Sequence, residues 1–208
     1  MAPPIWSPAA ARQLISIMLT GDRLQHSLTT GRQASRLTTA LADPTDRATV
    51  ITAALLHDIG HSPLAATTGW HPLDGARWLS RQGWPLPICR LVMWHTASWH
   101  EGRLRGLYDT AAREFGPPHR ADPLAAADLS TGPAGQPTTI NRRLVDIRHR
   151  YPTGSLVVQA LELAEADMRR LHALGTRPRT TRSARPAPAG RTAAEHTPLL
   201  NPAGRASR

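Results

Sequence analysis

The chain lacks lysine entirely and is poor in cysteine, phenylalanine and tyrosine. Its single cysteine, Cys89, excludes a disulfide framework and a metal site built from several thiolates. No apolar run approaches the roughly 18 residues of a membrane-spanning helix, and no stretch alternates in polarity as a half-buried strand does. A secretory leader, with a basic start, a long apolar stretch and a small-residue cleavage site, is also missing. We therefore expect a soluble, cytoplasmic protein without a sheet.

Positive charge is concentrated near the end of the chain. The formal net charge is +10, and the segment from residue 177 onward carries seven arginines and one acidic residue, Glu195. This segment is rich in Pro, Ala, Thr and Gly, so it cannot bury enough apolar surface to offset the entropy lost on ordering. We predict a disordered basic tail over residues 174–208. It is either a weak tether to a polyanion or a solubilising segment.

The remainder of the chain has helical periodicity throughout, because apolar residues recur at spacings of three and four. Capping residues and helix breakers delimit the individual segments. The predicted helices cover residues 8–20, 22–41, 46–57, 72–82, 87–96, 108–115, 122–130, 139–151 and 155–173. Residues 59–70 and 96–107 are predicted to be loops. Together these segments predict a single all-α domain over residues 8–173.

The stretch "AALLHDIGHSPLA", residues 53–65, ends an apolar helix in two polar side chains. His57 continues the core-facing side of the helix and Asp58 lies about 100 degrees round it, so both can approach one point. The free carbonyls and the negative pole of the helix dipole favour a cation there. An imidazole beside a carboxylate suits Mn²⁺, Fe²⁺, Zn²⁺ or Ni²⁺ better than Ca²⁺ or Mg²⁺. The alternative is that His57 caps the helix and Asp58 binds the following turn.

Further residues of metal-binding type are embedded in apolar sequence elsewhere in the chain. They are His26, His71, His95 and Asp128. Each of them alone is more often a helix cap, a buried polar residue or a surface residue. With the His-Asp doublet they form the ordered series His, His-Asp, His, His, Asp. That combination indicates a metal centre.

This series resembles the HD superfamily of metal-dependent phosphohydrolases, which is named for the doublet present here in "LLHDIGH". The segments "TGWHPLDGARWL" and "LVMWHTA" are similar to the extended pattern of members that hold two metals. "ADLSTGPAG" is similar to the last motif of a group of small bacterial members. The resemblance extends over roughly residues 20–150. It implies one helical domain of the HD type.

The resemblance also implies two metal sites that share a ligand. The first would consist of His26, His57, Asp58 and Asp128. The second would consist of the bridging Asp58 with His71 and His95. Two neighbouring cations can lower the pKa of a shared water and present hydroxide to phosphorus. We therefore expect two divalent ions, Mn²⁺ or Fe²⁺ with Zn²⁺ or Ni²⁺ as alternatives, a catalytic role for Asp58, and no side-chain nucleophile.

Supporting residues are predicted from their positions. Many HD proteins carry a basic or hydrogen-bonding group at the place of His61, so His61 is expected to act on the substrate phosphate or to orient a metal ligand. Arg77, Arg103 and His100 are candidates for binding that phosphate, with ordinary solvated side chains as the alternative. Arg105 is a further candidate.

Other chemically distinctive side chains are expected to be structural. Trp70, Trp94 and Trp99 each precede a histidine, and we expect them to pack in the core rather than stack on a nucleobase. Cys89 is expected in the core because its neighbours are apolar.

Three functions fit this pattern. The first is hydrolysis of a small phosphoester or nucleotide by a metal-activated water. The second is a di-iron oxygenase of the same superfamily, which cleaves organophosphonates or inositol; a Tyr or Glu near the metals would favour it. The third is a sensor that binds a nucleotide or metal without turnover. "IGH" stands where cyclic-dinucleotide phosphodiesterases of this type have "IGK", which argues against that substrate.

Overall fold

The structure is a computed structural model that describes residues 6–41, 43–118 and 122–167. In this part of the chain it contains helices and turns and no strand. The α-helices are α1 (Pro8–Met18), α2 (Gly21–Leu37), α3 (Pro44–Leu56), α4 (His71–Arg81), α5 (Leu86–Met93), α6 (Trp99–Leu104), α7 (Tyr108–Phe115), α8 (Asp122–Leu129), α9 (Ile140–Arg150) and α10 (Leu156–Leu163). Short 3-10 turns cover Thr38–Ala40, Ile59–His61 and His95–Ala97. The prediction of an all-α fold is confirmed.

The length and polarity of a helix decide whether it could cross a membrane. Among the described residues, every helix is too short or too polar to cross a bilayer. The predicted tail, residues 174–208, and the predicted helix beyond residue 167 lie outside the described residues.

Capping residues explain where the helices begin. Ser7 caps α1 by accepting a hydrogen bond from the backbone N–H of Ala10. Asp43 caps α3, where its carboxylate accepts from the N–H of Thr45 at 2.7 Å. The helix therefore begins two residues before the predicted start at residue 46. Pro44 fits the first turn, which needs no N–H donor from that residue, so the helix can begin earlier than its apolar pattern.

Helix α6 is the one α-helix within the described ranges that lies in a predicted loop, residues 96–107. It is only six residues long and includes Gly102, a poor helix former. A methyl group at Gly102 would lie 2.8 Å from Cζ2 of Trp70. The glycine is thus required by close packing of the indole ring, a tertiary constraint that local sequence does not express.

Helix α3 occupies the centre of the bundle and packs against α1, α2, α5 and α8. Its last two turns bury the residues Ala53, Ala54, Leu55 and Leu56 completely. Trp70, Trp94 and Cys89 are buried in the same core, which confirms their predicted structural role. Trp99 is half-buried against this core and also against a second, smaller cluster.

The second apolar cluster joins α8, α9 and α10. Its buried side chains are Ala125, Leu129, Ile140, Leu144, Leu161 and Ala164. Because α8 also packs against α2 and α3, this cluster holds α9 and α10 beside the carboxyl end of α3. That end therefore faces a space enclosed by several helices, and it is where the polar side chains of the interior meet.

Candidate metal centre

Helix α3 ends in the buried pair His57 and Asp58. Nδ1 of His57 lies 2.8 Å from the carbonyl oxygen of Ala54. The ring donates through Nδ1 and directs an unprotonated Nε2 towards the neighbouring helices. Asp58 has φ −97° and ψ 5°, in the sparsely populated bridge region that is common at active sites. The chain turns there, which separates the directions of the two side chains.

Helices α2 and α8 bring two more side chains to Nε2 of His57. His26 Nε2 is 3.3 Å from that atom and 3.1 Å from Oδ1 of Asp128. On its far side, Nδ1 of His26 donates to the carbonyl oxygen of Gly132 at 3.0 Å. His26, His57 and Asp58 each offer a ligand atom within 4.8 Å of the others. The structure thus brings together the four residues of the first predicted site.

A second group of ligand atoms lies around Oδ1 of Asp58. Oδ1 of Asp58 lies 3.5 Å from Nε2 of His71 and 3.7 Å from Nε2 of His61. His71 Nε2 is 3.3 Å from Nε2 of His95, whose Nδ1 donates to the carbonyl oxygen of Val92 at 2.7 Å. This group contains the predicted second site and adds His61, whose ring stacks on that of His71.

Electrostatics keep most of these groups in the form that binds a cation. Burial raises the pKa of Asp58, but the electrostatic interactions of its carboxylate with His57, Arg23 and His71 outweigh this effect and hold that pKa well below its usual range. Burial lowers the pKa of His57 to about 4. The carboxylate is therefore ionised and the imidazole neutral at pH 7, so neither has to lose a proton to bind a metal.

His26 behaves differently from His57. Burial lowers the pKa of His26, but the hydrogen bond to Asp128 and the charges of Asp58 and Asp128 outweigh it, so the pKa is raised above its ordinary value. The proton that this stabilises lies on Nε2 and is donated to Asp128. A metal at this point would replace that proton.

Thr96 supports Asp128 from the turn that follows His95. Its hydroxyl donates to Oδ2 of Asp128 at 2.5 Å, the oxygen that does not contact His26. Thr96 has φ 48° and ψ 40°, a left-handed conformation that is strained for a β-branched residue. The hydrogen bond joins a ligand of the first site to the backbone next to a ligand of the second. No feature of the sequence indicated this role.

Arg23 is the other contributor that the sequence analysis missed. Its Nη1 donates to Oδ2 of Asp58 at 2.6 Å. Residues three apart on a helix share a face, so the position of Arg23 three residues before His26 on α2 could have revealed it.

The predicted phosphate-binding residues lie elsewhere. Arg77 forms a bidentate ion pair with Glu114 on α7, and the guanidinium of Arg103 lies 4.3 Å above the ring of Tyr108. His100 Nε2 is 3.8 Å from Oδ2 of Asp167. None of Arg77, Arg103 and His100 lines the cavity beside the metal cluster.

Helix geometry explains this misplacement. Arg77 follows His71 by six residues on α4, which turns it about 120 degrees away from the histidine. On α6 the residues that face the cavity are Glu101 and Arg105, which are four apart. Arg103 lies halfway between them and so points to the opposite side.

The cluster opens into a cavity of about 300 Å³. His26, Asp58, His61, His71, His95 and Asp128 form its floor, and His57 lies beneath them. Four arginines line the cavity and are called the cavity arginines: Arg23, Arg105, Arg143 and Arg150. Apolar side chains of α8 and α9 and of the region of α10 form much of the remaining wall, and Thr96, Ser98 and Glu101 add polar groups. Such a cavity suits an anionic molecule with an apolar part.

Comparison with known proteins adds one finding. A family model described as HD domain matches residues 23–147, more than half of the chain and a range that contains every residue of the cluster. Neither curated proteins nor solved structures contain a match to this chain.

Proposed function

The chain belongs to the HD-domain family, and we propose that it is a metal-dependent phosphohydrolase that cleaves a small phosphoester or nucleotide. Two divalent ions supply the chemistry when bound, because they acidify a shared water and neutralise charge that develops on the phosphoryl oxygens. The side chains of the cluster fit such ions, since they combine imidazole nitrogens with two buried carboxylates.

The observation that carries this proposal is the central position of Asp58. Its Oδ1 lies 3.6 Å from Nε2 of His57 and 3.5 Å from Nε2 of His71. One carboxylate thus lies between two groups of histidines, where it would be shared if each group held an ion. We assign Asp58 to this bridging role.

Hydrogen bonds outside the cluster support the assignment of the histidines as ligands. His26, His57 and His95 each direct Nδ1 to a backbone carbonyl oxygen, at 3.0, 2.8 and 2.7 Å. A carbonyl acceptor on the far nitrogen fixes the ring orientation and makes the near nitrogen a better ligand. The set favours Mn²⁺ or Fe²⁺, with Zn²⁺ or Ni²⁺ as alternatives.

Arg23 and His61 are the residues that we assign to the substrate phosphate. Both lie beside Asp58 and line the cavity, and both keep part of their side chain exposed. A guanidinium can bind two phosphoryl oxygens at once. Burial lowers the pKa of His61, so it is neutral at pH 7 and can accept or donate a hydrogen bond there. It can alternatively complete the second metal site.

A second candidate function has support in the same cavity. Tyr151 and Glu101 both line it, and a tyrosine or glutamate near the metals is the feature that favours a di-iron oxygenase of this superfamily. Oxygenase chemistry would require two bound irons and the consumption of oxygen. It is therefore tested together with hydrolysis.

The experiment compares the native chain with Asp58→Ala and the control Asp46→Ala. Asp46 is an exposed carboxylate at the other end of α3, so its removal preserves the cluster. Metal per chain is measured by elemental mass spectrometry. Phosphate release from a panel of phosphoesters is measured with Mn²⁺ and with Fe²⁺, and oxygen uptake is followed in parallel.

We expect two ions per chain and phosphate release in the native protein and in Asp46→Ala, and the loss of both in Asp58→Ala. Full metal content in Asp58→Ala would refute the bridging role. Bound mixed-valence iron with oxygen uptake and no phosphate release would establish the oxygenase instead. Metal without either reaction would favour the binding sensor.

A further inference from the structure

Two of the cavity arginines lie on α9, a helix that contributes no residue to the metal cluster. Arg143 and Arg150 are seven residues apart, which places them on the same side of the helix. Both line the cavity, as does Ile147 between them. Their positions make them part of the wall rather than of the floor.

A single carboxylate oxygen holds both guanidinium groups. Oδ2 of Asp146 accepts from Nη1 of Arg143 at 2.8 Å and from Nη2 of Arg150 at 2.5 Å. Asp146 itself is not among the residues that line the cavity. One acid outside the cavity lining thus holds two cations, so the pair carries one positive charge more than Asp146 balances.

The other two cavity arginines are neutralised within the cavity. Arg23 donates to Asp58, and Nε of Arg105 donates to Glu101 at 2.8 Å. Both of these acids line the cavity too. Arg143 and Arg150 are therefore distinguished from Arg23 and Arg105, since their shared acid lies outside the lining.

The side chain of Arg143 is also buried, although packing at that position does not require a charged residue. Its side chain is 10% exposed, and its Nε has no hydrogen-bond acceptor among the described residues. A buried cation with an unsatisfied donor is unfavourable, and an apolar side chain of similar size would usually serve the core as well or better. Such an exception in a native structure calls for a functional explanation.

We propose that Arg143 and Arg150 form a binding site for a second anionic group of the substrate, a phosphate or a carboxylate. The substrate is then a small molecule with at least two anionic groups, one at the metal centre and one at the arginine pair. The apolar wall between them, with Leu129, Ile147 and Leu161, contacts the intervening carbon skeleton. This assignment rests on the proposed function of the metal centre.

The test measures binding rather than turnover, so that the two proposals can fail separately. The probes are alkane bisphosphonates of increasing chain length, which cannot be hydrolysed as esters, and the alkyl monophosphonates of matching length. Scanning the length makes the result independent of the spacing between the two sites. Affinities are measured by isothermal titration calorimetry on the full-length, metal-loaded chain.

Arg142→Met is the matched control for Arg143→Met, because the neighbouring Arg142 is exposed on the same helix and does not line the cavity. We expect the best bisphosphonate to bind the native chain about ten- to a hundredfold more tightly than its monophosphonate, the effect of one or two charge-assisted hydrogen bonds. Arg143→Met should abolish this preference, and Arg142→Met should retain it.

Arg150→Met is a second variant that should fold even if Arg143→Met does not. The side chain of Arg150 is 38% exposed, so its loss should leave the core intact. We expect it to reduce the preference severalfold. Equal binding of the paired probes at every length would refute the anion site, as would a full preference in Arg143→Met. Failure of the metal centre would be seen separately, as no phosphate release from any ester.

Discussion

Replacing Gly60 with alanine should severely destabilise the chain and disrupt the second half of the metal centre. Gly60 lies in the 3-10 turn after the doublet, against the first turns of α4. A methyl group at Gly60 would lie 2.6 Å from the backbone nitrogen of Gly75, 2.8 Å from the carbonyl carbon of His71 and closer still to its carbonyl oxygen. These are backbone atoms, so no side-chain rotation can relieve the overlap, and α4 would have to move away.

The magnitude follows from a comparison with the reciprocal glycine. A methyl group at Gly75 would lie 3.0 Å from the nitrogen of Gly60 and 3.2 Å from Cγ2 of Ile59, which requires shifts of only a few tenths of an ångström. Overpacking that can relax costs about 1–3 kcal/mol, so we expect about 1–2 kcal/mol for Gly75→Ala. For Gly60→Ala we expect a loss of unfolding free energy of about 3 kcal/mol or more.

Urea denaturation followed by circular dichroism measures both free energies, and elemental analysis measures the bound metal. Because α4 begins at His71, the displacement that relieves Gly60→Ala should also separate His71 from Asp58 and lower the metal content. If Gly60→Ala is no less stable than Gly75→Ala and retains its full metal content, the close approach of the turn to α4 is wrong.

Three further predictions concern single side chains. Thr96→Val keeps the branched shape and loses the hydroxyl bound to Asp128, so it should lower the unfolding free energy by about 1–2 kcal/mol and weaken metal retention. Thr96→Ser should restore part of the stability and part of the metal retention. An unchanged unfolding free energy and metal content in Thr96→Val would contradict the role of the hydroxyl. Between the ordinary pKa of 6.5 and the folded pKa of about 4 for His57, only the unfolded chain binds a proton at that site. The metal-free protein should therefore lose up to about 3 kcal/mol of stability from His57 as pH falls through this range. Thermal unfolding at a series of pH values measures this loss. If the stability of the native chain falls with pH no more steeply than that of His57→Gln, the prediction is refuted. Burial raises the pKa of the Cys89 thiol to about 11, so iodoacetamide should alkylate native Cys89 at least about a hundredfold more slowly than the denatured chain; comparable rates would show that the thiol is accessible.

Several residues of the cluster could be predicted from the sequence because they are polar residues at or near the ends of helices. His57 and Asp58 follow a helix whose last turn, residues 53–56, is entirely apolar, so the direction of both side chains follows from helix geometry. His71 is the first residue of α4, and His95 follows the carboxyl end of α5 by two residues. That these ends meet is a tertiary fact, and it was expected only because the ordered series resembles a known family.

Proximity in the chain to a histidine of the cluster was a poor guide to the residues that line the cavity. Arg77 and Arg103 follow histidines closely in the chain, but their helical angles direct them away from the cavity. The same angular argument selects Arg23 on α2, one turn before His26 and on the same face. In a chain whose basic residues are all arginine, residue type cannot identify a binding site, and helical phase has to do so.

Helix α9 shows how far that reasoning extends. Ile140, Leu144 and Ile147 follow the spacing of a buried helical face, and Arg143 occupies the remaining position of that face, between Ile140 and Leu144. A cation inside an apolar stripe is detectable from the sequence alone, whereas its neighbour Arg142 falls on the polar side. What the pattern does not contain is the position of Asp146 relative to the cavity, which depends on how α9 packs against α8 and α10. The burial of Arg143 could therefore have been predicted, and its availability to an anion required the structure.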